Sequence, residues 1–504
     1  MNSGVVETTV LIVGGGPAGL TASLLLSRHG VDSVLIDKRL EASPLPRARG
    51  VHSRAMEILR VCGVEPDLRA VELPITPGAE WRVDLASPPL HEDVPSPGPT
   101  TVSPCEGLAV SQDVFEAVLR DHARSHAHAR LRPGMLLDSF RAVEDGVQAT
   151  VVEQASGCRV QIRARWMIAA DGARSGVRQD LQIGMNGPDD LGQQKMIAFR
   201  ADLSALTGPR PRGIYFLAAA GAALIWTHAD DRWVINQPGP IAAGEDPATV
   251  VQRILGLPDL AVQVTATGLW TAGAQSADQY AQGPVFLVGD AAHRFPPVGA
   301  TGVSAAMHDV HNLSWKIAAV VRGHGGQRLL DSYAVEREAV GLRNADETGA
   351  AWARVFAGSG APFSGRGLAQ IDMGYQYTSP VVADDGSPDA DPPGADYQPT
   401  AAPGCRAPHL WLADGTSTID LFDQRFVLLT AEPGHVWRDA AARTAGAFVD
   451  SRVVAEPTWP GLYGVAPDGA VLVRPDGHVA WRSRAASTDP SADIQTALAT
   501  CTGS

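Results

Sequence analysis

The stretch with the clearest chemical meaning is Gly14-x-Gly16-x-x-Gly19, in VGGGPAG, directly after the apolar run TVLIVG and before a helical pattern. In such a turn the first glycine makes the tight bend. The second lets the backbone approach a pyrophosphate, and the third lets helix and strand pack closely. Pro17 and Ala18 open the helix, whose free N–H groups and positive dipole end favour phosphate. Asp37 ends the next apolar run, SVLID, about 20 residues on, where a carboxylate binds a ribose hydroxyl. Lys38 follows it and joins the candidate cofactor-binding set. Strand, helix and acid in this order point to dinucleotide binding; the alternative is a glycine-rich strand-to-helix turn.

A second stretch, GDAAHRFPPVGATG at residues 289–302, ends the apolar strand PVFLV. Two prolines and two glycines within ten residues of Asp290 make poor helix and poor strand. Prolines fix the backbone and glycines allow close approach, so a rigid loop passing beside a ligand is expected.

The elements that position these residues follow from periodicity. Residues 9–37 read as a β-α-β unit. Residues 147–153 and 159–170 read as a hairpin. Residues 181–282 alternate and carry aromatics, which predicts a mainly antiparallel sheet. A long helical stretch begins near Val303. Residues 376–404 are rich in Pro, Gly and Asp and read as a linker; short strands return from about 405. The fold class is therefore α/β: a Rossmann-like cofactor domain, an antiparallel middle domain and a small third α/β unit.

The 504 residues carry a net charge of −14, which argues against nucleic acid and anionic membrane as main partners. Cys62, Cys105, Cys158, Cys405 and Cys501 are scattered, without CxxC or metal-type spacing. No metal site is expected, and a reducing, cytoplasmic setting is. The N-terminus has no basic n-region, so no signal peptide is expected. Apolar runs fall short of a membrane span. Monomer and homodimer both stay open.

Two further segments give the motifs a family context. ARWMIAADGARSGVR holds Asp171-Gly172 followed by Arg174, Ser175, Val177 and Arg178, and PVFLVGD holds Gly289-Asp290. With the glycine turn, these resemble the three FAD signatures, in order, of the class A flavoprotein monooxygenases, the family of para-hydroxybenzoate and phenol hydroxylase. PRARGVHSRAMEILR and SQDVFEAVL are similar to the aromatic polyketide hydroxylase branch. Residues 405–504 resemble that branch's thioredoxin-like domain, which lacks redox cysteines.

The resemblance implies an FAD-dependent, NAD(P)H-using monooxygenase. It would hydroxylate a phenolic polycyclic substrate with O2 through a flavin C4a-hydroperoxide; Baeyer–Villiger oxidation or epoxidation on the same scaffold, and a non-oxygenating FAD-binding protein, are the alternatives. Asp290 would bind the ribityl chain, with Gly289 leaving room for its hydroxyls. Pro296, Pro297, Gly299, Ala300, Thr301, Gly302 and Val303 would pass beside the isoalloxazine ring. The helix after them would aim its N-terminus at the N1–C2=O edge, where charge develops on reduction. Arg47 and Gln112 would contact FAD, and Asp171 either contacts a cofactor or caps a turn. Ser304 stands where the family usually has Asn; a serine there is able to cap the helix. His293 belongs to the common pattern and is read as structural.

The implied FAD domain comprises residues 1–75, 104–180 and 283–375; the substrate domain 76–103 and 181–282; the linker 376–404; and the C-terminal domain 405–504. Tyr215, Phe216, Trp226, Trp233 and Trp270 are candidate pocket walls, with sheet core as the alternative. His228 follows Trp226 by two and is expected on the same strand face. It is the one weak candidate for a catalytic base, and no base is named beyond it.

Overall fold

The computed structural model describes residues 5–41, 49–93, 102–357, 367–392 and 396–504. The first unit is strand β1 (Val6–Val13), helix α1 (Pro17–Arg28) and strand β2 (Ser33–Asp37). β1 pairs in parallel with β2 and with Arg159–Ala169, which pairs in parallel with Val285–Leu287. Val10–Val13 and all of β2 are buried, the continuous apolar pattern of a parallel sheet covered on both faces. Gly146–Glu153 lies antiparallel on Arg159–Ala169, forming the expected hairpin. Short strand β3 (Gly50–Val51) leads into helix α2 (Ser53–Val61), and helix α3 (Gln112–Ser125) packs beside α1.

A seven-stranded sheet follows. Its order is Gln263–Thr271, Gln193–Arg200, Arg232–Pro238, Ala222–His228, Arg212–Leu217, Thr76–Arg82 and Pro89–Asp93. Only the pairing of Arg212–Leu217 with Thr76–Arg82 is parallel. Helix α4 (Pro247–Leu255) covers one face. It starts where the Asp246 side chain accepts from the Thr249 N–H and stops at left-handed Gly256. Its Val250, Val251, Ile254 and Leu255 pack on Ile197, Tyr215, Leu224, Trp226, Trp233 and Ile235.

Helices α5 (Thr301–Val321), α6 (Gln327–Ala357) and α7 (Leu368–Met373) return to the first sheet. The C-terminal unit is a four-stranded sheet, Val449–Val453, Phe426–Thr430, Ala470–Val473 and Val479–Ser483, with helices His435–Thr444 and Pro490–Thr502. Its core is shared. Trp315 and Ala319 of α5 and Leu329 of α6 pack with Phe426, Leu428 and Trp437. Two buried ion pairs fasten it further: Arg406 to Glu57 of α2, and Arg474 to Glu336 of α6. Among the described residues no helix is long and apolar enough to cross a membrane.

Candidate active site

Gly14 has φ +111°, and a β-carbon there would fall inside the Ala170 carbonyl group. Only glycine permits this crossing of β1 over the neighbouring strand end. A β-carbon on Gly19 would strike the Gly14 carbonyl oxygen, so α1 packs directly on the turn. Gly16 begins α1 with no side-chain cap and Pro17 follows, which leaves the first-turn N–H groups open. Asp37 is buried; its two oxygens accept from the Gly15 N–H and the Arg39 N–H, each at 2.6 Å. A carboxylate has about four lone-pair sites, so acceptor capacity remains for ribose hydroxyls. Lys38 beside it is exposed.

Gln112 opens α3 and donates from Nε2 to Glu116 Oε1 at 2.6 Å. Glu116 is buried, and burial pushes its carboxyl up. Its Oε1 lies 4.0 Å from where a Gly16 side chain would begin, so the pair floors the open turn. Asp171 accepts from the Val177 N–H at 3.2 Å through Oδ2, while its buried Oδ1 has no hydrogen-bond partner. The buried Thr301 Oγ1 also lacks one. Open N–H groups, unsatisfied buried oxygens and glycines that keep the cradle clear suit a dinucleotide. Pro17, Ala18, Gly14, Gly16 and Gly19 all line or support this turn.

The second stretch folds as a 3-10 turn, Gly289–Ala291, with Asp290 on its exposed side. Gly289 has a physical reason beyond the expected one. Its φ is +58°, and a β-carbon would lie 3.0 Å from Ala306 Cβ and 3.3 Å from Ala18 Cβ. The close packing of α1 and α5 is by itself a reason for the glycine. His293 is buried, with Nε2 2.8 Å from Asp309 Oδ2. Asp309 also accepts from the Gly289 N–H at 2.9 Å and Arg337 Nε at 2.8 Å. Burial alone would raise its carboxyl, but His293 and Arg337 hold it below the usual range. His293 is thus part of a structural brace.

Pro296 is buried and Pro297 exposed. Gly299 and Ala300 are both left-handed, at φ +77° and +55°. α5 then begins at Thr301, two residues before the expected Val303, and Ala300 gives it no side-chain cap. The N–H groups of Thr301, Gly302 and Val303 have no helical acceptor upstream. Ser304 does not cap the helix as expected: its Oγ accepts from the His52 N–H at 3.1 Å and ties α2 to α5.

Arg47 lies outside the described residues. Arg49 lies within them, and its Nη1 is buried without a partner, 3.9 Å from where a Gly213 side chain would begin. Burial pushes this guanidinium down to about 10.

Register separates the two faces of the middle sheet. Trp81, Phe216, Ala223, Asn236 and Met196 are successive cross-strand partners and share one face. Trp81 stacks on Phe216 at 4.9 Å, and Trp270 donates to Asn236 Oδ1 at 3.3 Å and meets Trp352 of α6 edge-on. Tyr215, Trp226 and Trp233 occupy the opposite face, in the core under α4. For Tyr215, Trp226 and Trp233 the pocket-wall reading gives way to its alternative, sheet core, while Phe216 and Trp270 stay on the other face. A register shift between Trp226 and His228 breaks the alternation expected of them. His228 sits at the hairpin end, 2.7 Å from Asp230, in an ion cluster with Arg200, Arg232 and, through Arg232, Asp113.

Comparison with known proteins gives these features a lineage. Residues 7–348 match the family model described as "FAD binding domain", and residues 400–504 match "Aromatic-ring hydroxylase, C-terminal". The chain is 36% identical to tetracenomycin B2 monooxygenase-dioxygenase of Streptomyces olivaceus, covering 98% of each chain. It is 34% identical to aklavinone 12-hydroxylase of Streptomyces peucetius subsp. caesius, covering 87% of this chain and 94% of that one. Among solved structures, a ternary complex of aklavinone-11 hydroxylase with FAD and aklavinone superposes with TM-score 0.89 at 30% identity, covering 99% and 100%. The chain belongs to the FAD-dependent aromatic-ring hydroxylases and is a monooxygenase of that family.

Proposed function

We propose that the protein hydroxylates a polycyclic, phenolic, polyketide-type substrate, drawing its electrons from NAD(P)H in the cytoplasm. The observation that carries this reading is the packing of α1 against α5, with Gly289 seated beside Ala18 of the one and Ala306 of the other. It brings the uncapped glycine turn and the left-handed loop before α5 into one cradle. The names of the relatives, which include a tetracenomycin B2 monooxygenase-dioxygenase and an aklavinone 12-hydroxylase, support the substrate class.

In this reading the open N–H groups of Gly16 and the first turn of α1 would hold the pyrophosphate, Asp37 the adenosine ribose and Asp290 the ribityl chain. Gln112, anchored by Glu116, and Asp171 Oδ1 supply further polar contacts. The uncapped α5 N-terminus would favour negative charge on a reduced flavin held before it. Bound FAD would supply the oxygen-transfer chemistry, while the protein's own groups position it and the substrate. The row Trp81, Phe216, Asn236 and Met196, with Trp270, forms the sheet wall against which a flat substrate lies. This wall excludes water and orients the ring. This reading assigns His228 no role; it pairs with Asp230 at the hairpin end.

The test is stopped-flow absorbance of reduced, FAD-loaded protein mixed with oxygen and a panel of phenolic polycycles. A transient flavin absorbance that decays as hydroxylated product forms supports the proposal. Direct reoxidation with no oxygenated product, for every member of the panel, contradicts it.

A further inference from the structure

Behind the α5 N-terminus lies a group of titratable side chains that the proposed function leaves unused. Asp372 of α7 is buried and accepts the Arg54 N–H at 3.0 Å through Oδ2, capping the start of α2 from a distant element. Its Oδ1 has no hydrogen-bond partner, yet lies 3.8 Å from His52 Nδ1 and 3.5 Å from His308 Nε2. The two histidines differ. His308 is buried, and burial together with Arg337, Arg54 and the neighbouring His311 and His478 keeps it neutral. The His52 side chain retains 19% of its surface in solvent. Its backbone N–H is the one bound to Ser304 in the second turn of α5.

His52 thus stands between the reduced-charge end of the proposed flavin site and a buried carboxylate with one free oxygen. The groups around it are Asp372 from α7, His308 and Ser304 from α5, and Arg54 and Glu57 from its own helix. Burial pushes the Asp372 carboxyl up, and Glu57 adds to this, while His52 and Arg54 oppose it. A carboxylate in this position gains from a protonated imidazole at its open oxygen. Imidazole is also the side chain suited to exchanging a proton with solvent near neutral pH.

We propose that His52, held by Asp372, takes up a proton when the bound flavin is reduced and so offsets the charge arriving at the N1–C2=O edge. This rests on the FAD site described above. Two electrons and one proton pass from NAD(P)H, which is oxidised, to the flavin, which is reduced and left with one negative charge. A second proton moves from solvent to the His52 ring. Reoxidation returns it to solvent.

The experiment is spectroelectrochemical titration of the FAD-loaded protein across pH, for the wild type, His52→Gln and Asp372→Asn. Each proton taken up per two electrons adds about 30 mV per pH unit to the slope of the midpoint potential. The wild type should show two protons at lower pH and one at higher pH. His52→Gln should show one throughout. Asp372→Asn keeps an acceptor for the Arg54 N–H, so α2 stays capped, but should move the break in slope to lower pH. Variants that bind FAD stoichiometrically and keep the wild-type slope and break overturn the inference while leaving the FAD site standing. A wild type that does not bind FAD stoichiometrically overturns both.

Discussion

Replacing Gly289 by alanine is expected to destabilise the protein even when FAD is absent. The residue has φ +58°, and a non-glycine residue held there costs about 1–2 kcal/mol. The added methyl would lie 3.0 Å from Ala306 Cβ and 3.3 Å from Ala18 Cβ, and both neighbours are themselves methyl groups on rigid helices. Neither is able to rotate away, so α1 and α5 must separate by a few tenths of an ångström. Overpacking of this kind costs about 1–3 kcal/mol. Gly289 also donates its N–H to Asp309, which links it to His293 and Arg337, so the strain reaches a buried network. The assay is urea unfolding of FAD-free Gly289→Ala beside the wild type, followed by far-ultraviolet circular dichroism and by tryptophan fluorescence. The midpoint should fall clearly, and FAD affinity should fall with it. An unchanged midpoint in the FAD-free protein, with affinity alone reduced, would refute the packing argument and leave sugar access as the reason for the glycine.

The remaining expectations concern the core, the sheet wall and pH. Phe216→Ala should raise KM for the aromatic substrate with little change in unfolding midpoint, whereas Trp226→Ala should cost about 3–5 kcal/mol of stability through its cavity under α4; the reverse pattern in paired kinetics and urea curves would invert the face assignment. Arg406→Met leaves buried Glu57 with Arg54 as its remaining countercharge and the Ser103 hydroxyl as a further donor, so the loss should stay below the about 3–5 kcal/mol of a fully uncompensated charge, and because the C-terminal core is continuous with α5 the melt should shift as a whole. Separate melting of residues 400–504 in calorimetry would contradict that continuity. Burial would raise the Glu57 carboxyl, but Arg406 and Arg54 hold it down to about 2 in the folded state. Its contribution to stability is therefore complete above the ordinary carboxylate range and is lost as pH falls toward 2. Glu57→Gln should flatten this part of an acid-unfolding curve; an unaltered curve would remove Glu57 from the account.

The glycine turn and Asp37 were legible because strand, turn, helix and acid are contiguous in sequence. Each conclusion there needed only local geometry. The loop at 296–302 was legible for the same reason, although the start of α5 moved by two residues. Neighbours in a strand, Tyr215 and Phe216 point to opposite faces, so only one of the two is able to be pocket wall. The sequence does not show which face α4 covers, since that depends on how a later helix docks, and so the choice between pocket wall and sheet core for Tyr215, Trp226 and Trp233 stayed open until the fold put them in the core. The bulge after Trp226 was invisible for a similar reason: nothing in WTHADDRW marks where the register slips. Asp372 and Arg406 gave no signal at all. Their partners, Arg54 and Glu57, lie more than 300 residues earlier, and only tertiary packing joins them. The role expected of Ser304 failed because a hydroxyl in the second turn of α5 found the His52 N–H of another element before its own helix end.

If the cradle and sheet wall serve oxygen transfer to an aromatic polyketide, the oxygen added to the product comes from O2. The most direct measurement is mass spectrometry of product formed under 18O2 by the FAD-loaded protein with NADPH and a panel of polycyclic phenols. One 18O atom in a hydroxylated product, with one NADPH consumed for each product formed, is the predicted result. Oxygen drawn from water, or NADPH oxidised with hydrogen peroxide as the sole oxygen product for every substrate, would contradict it.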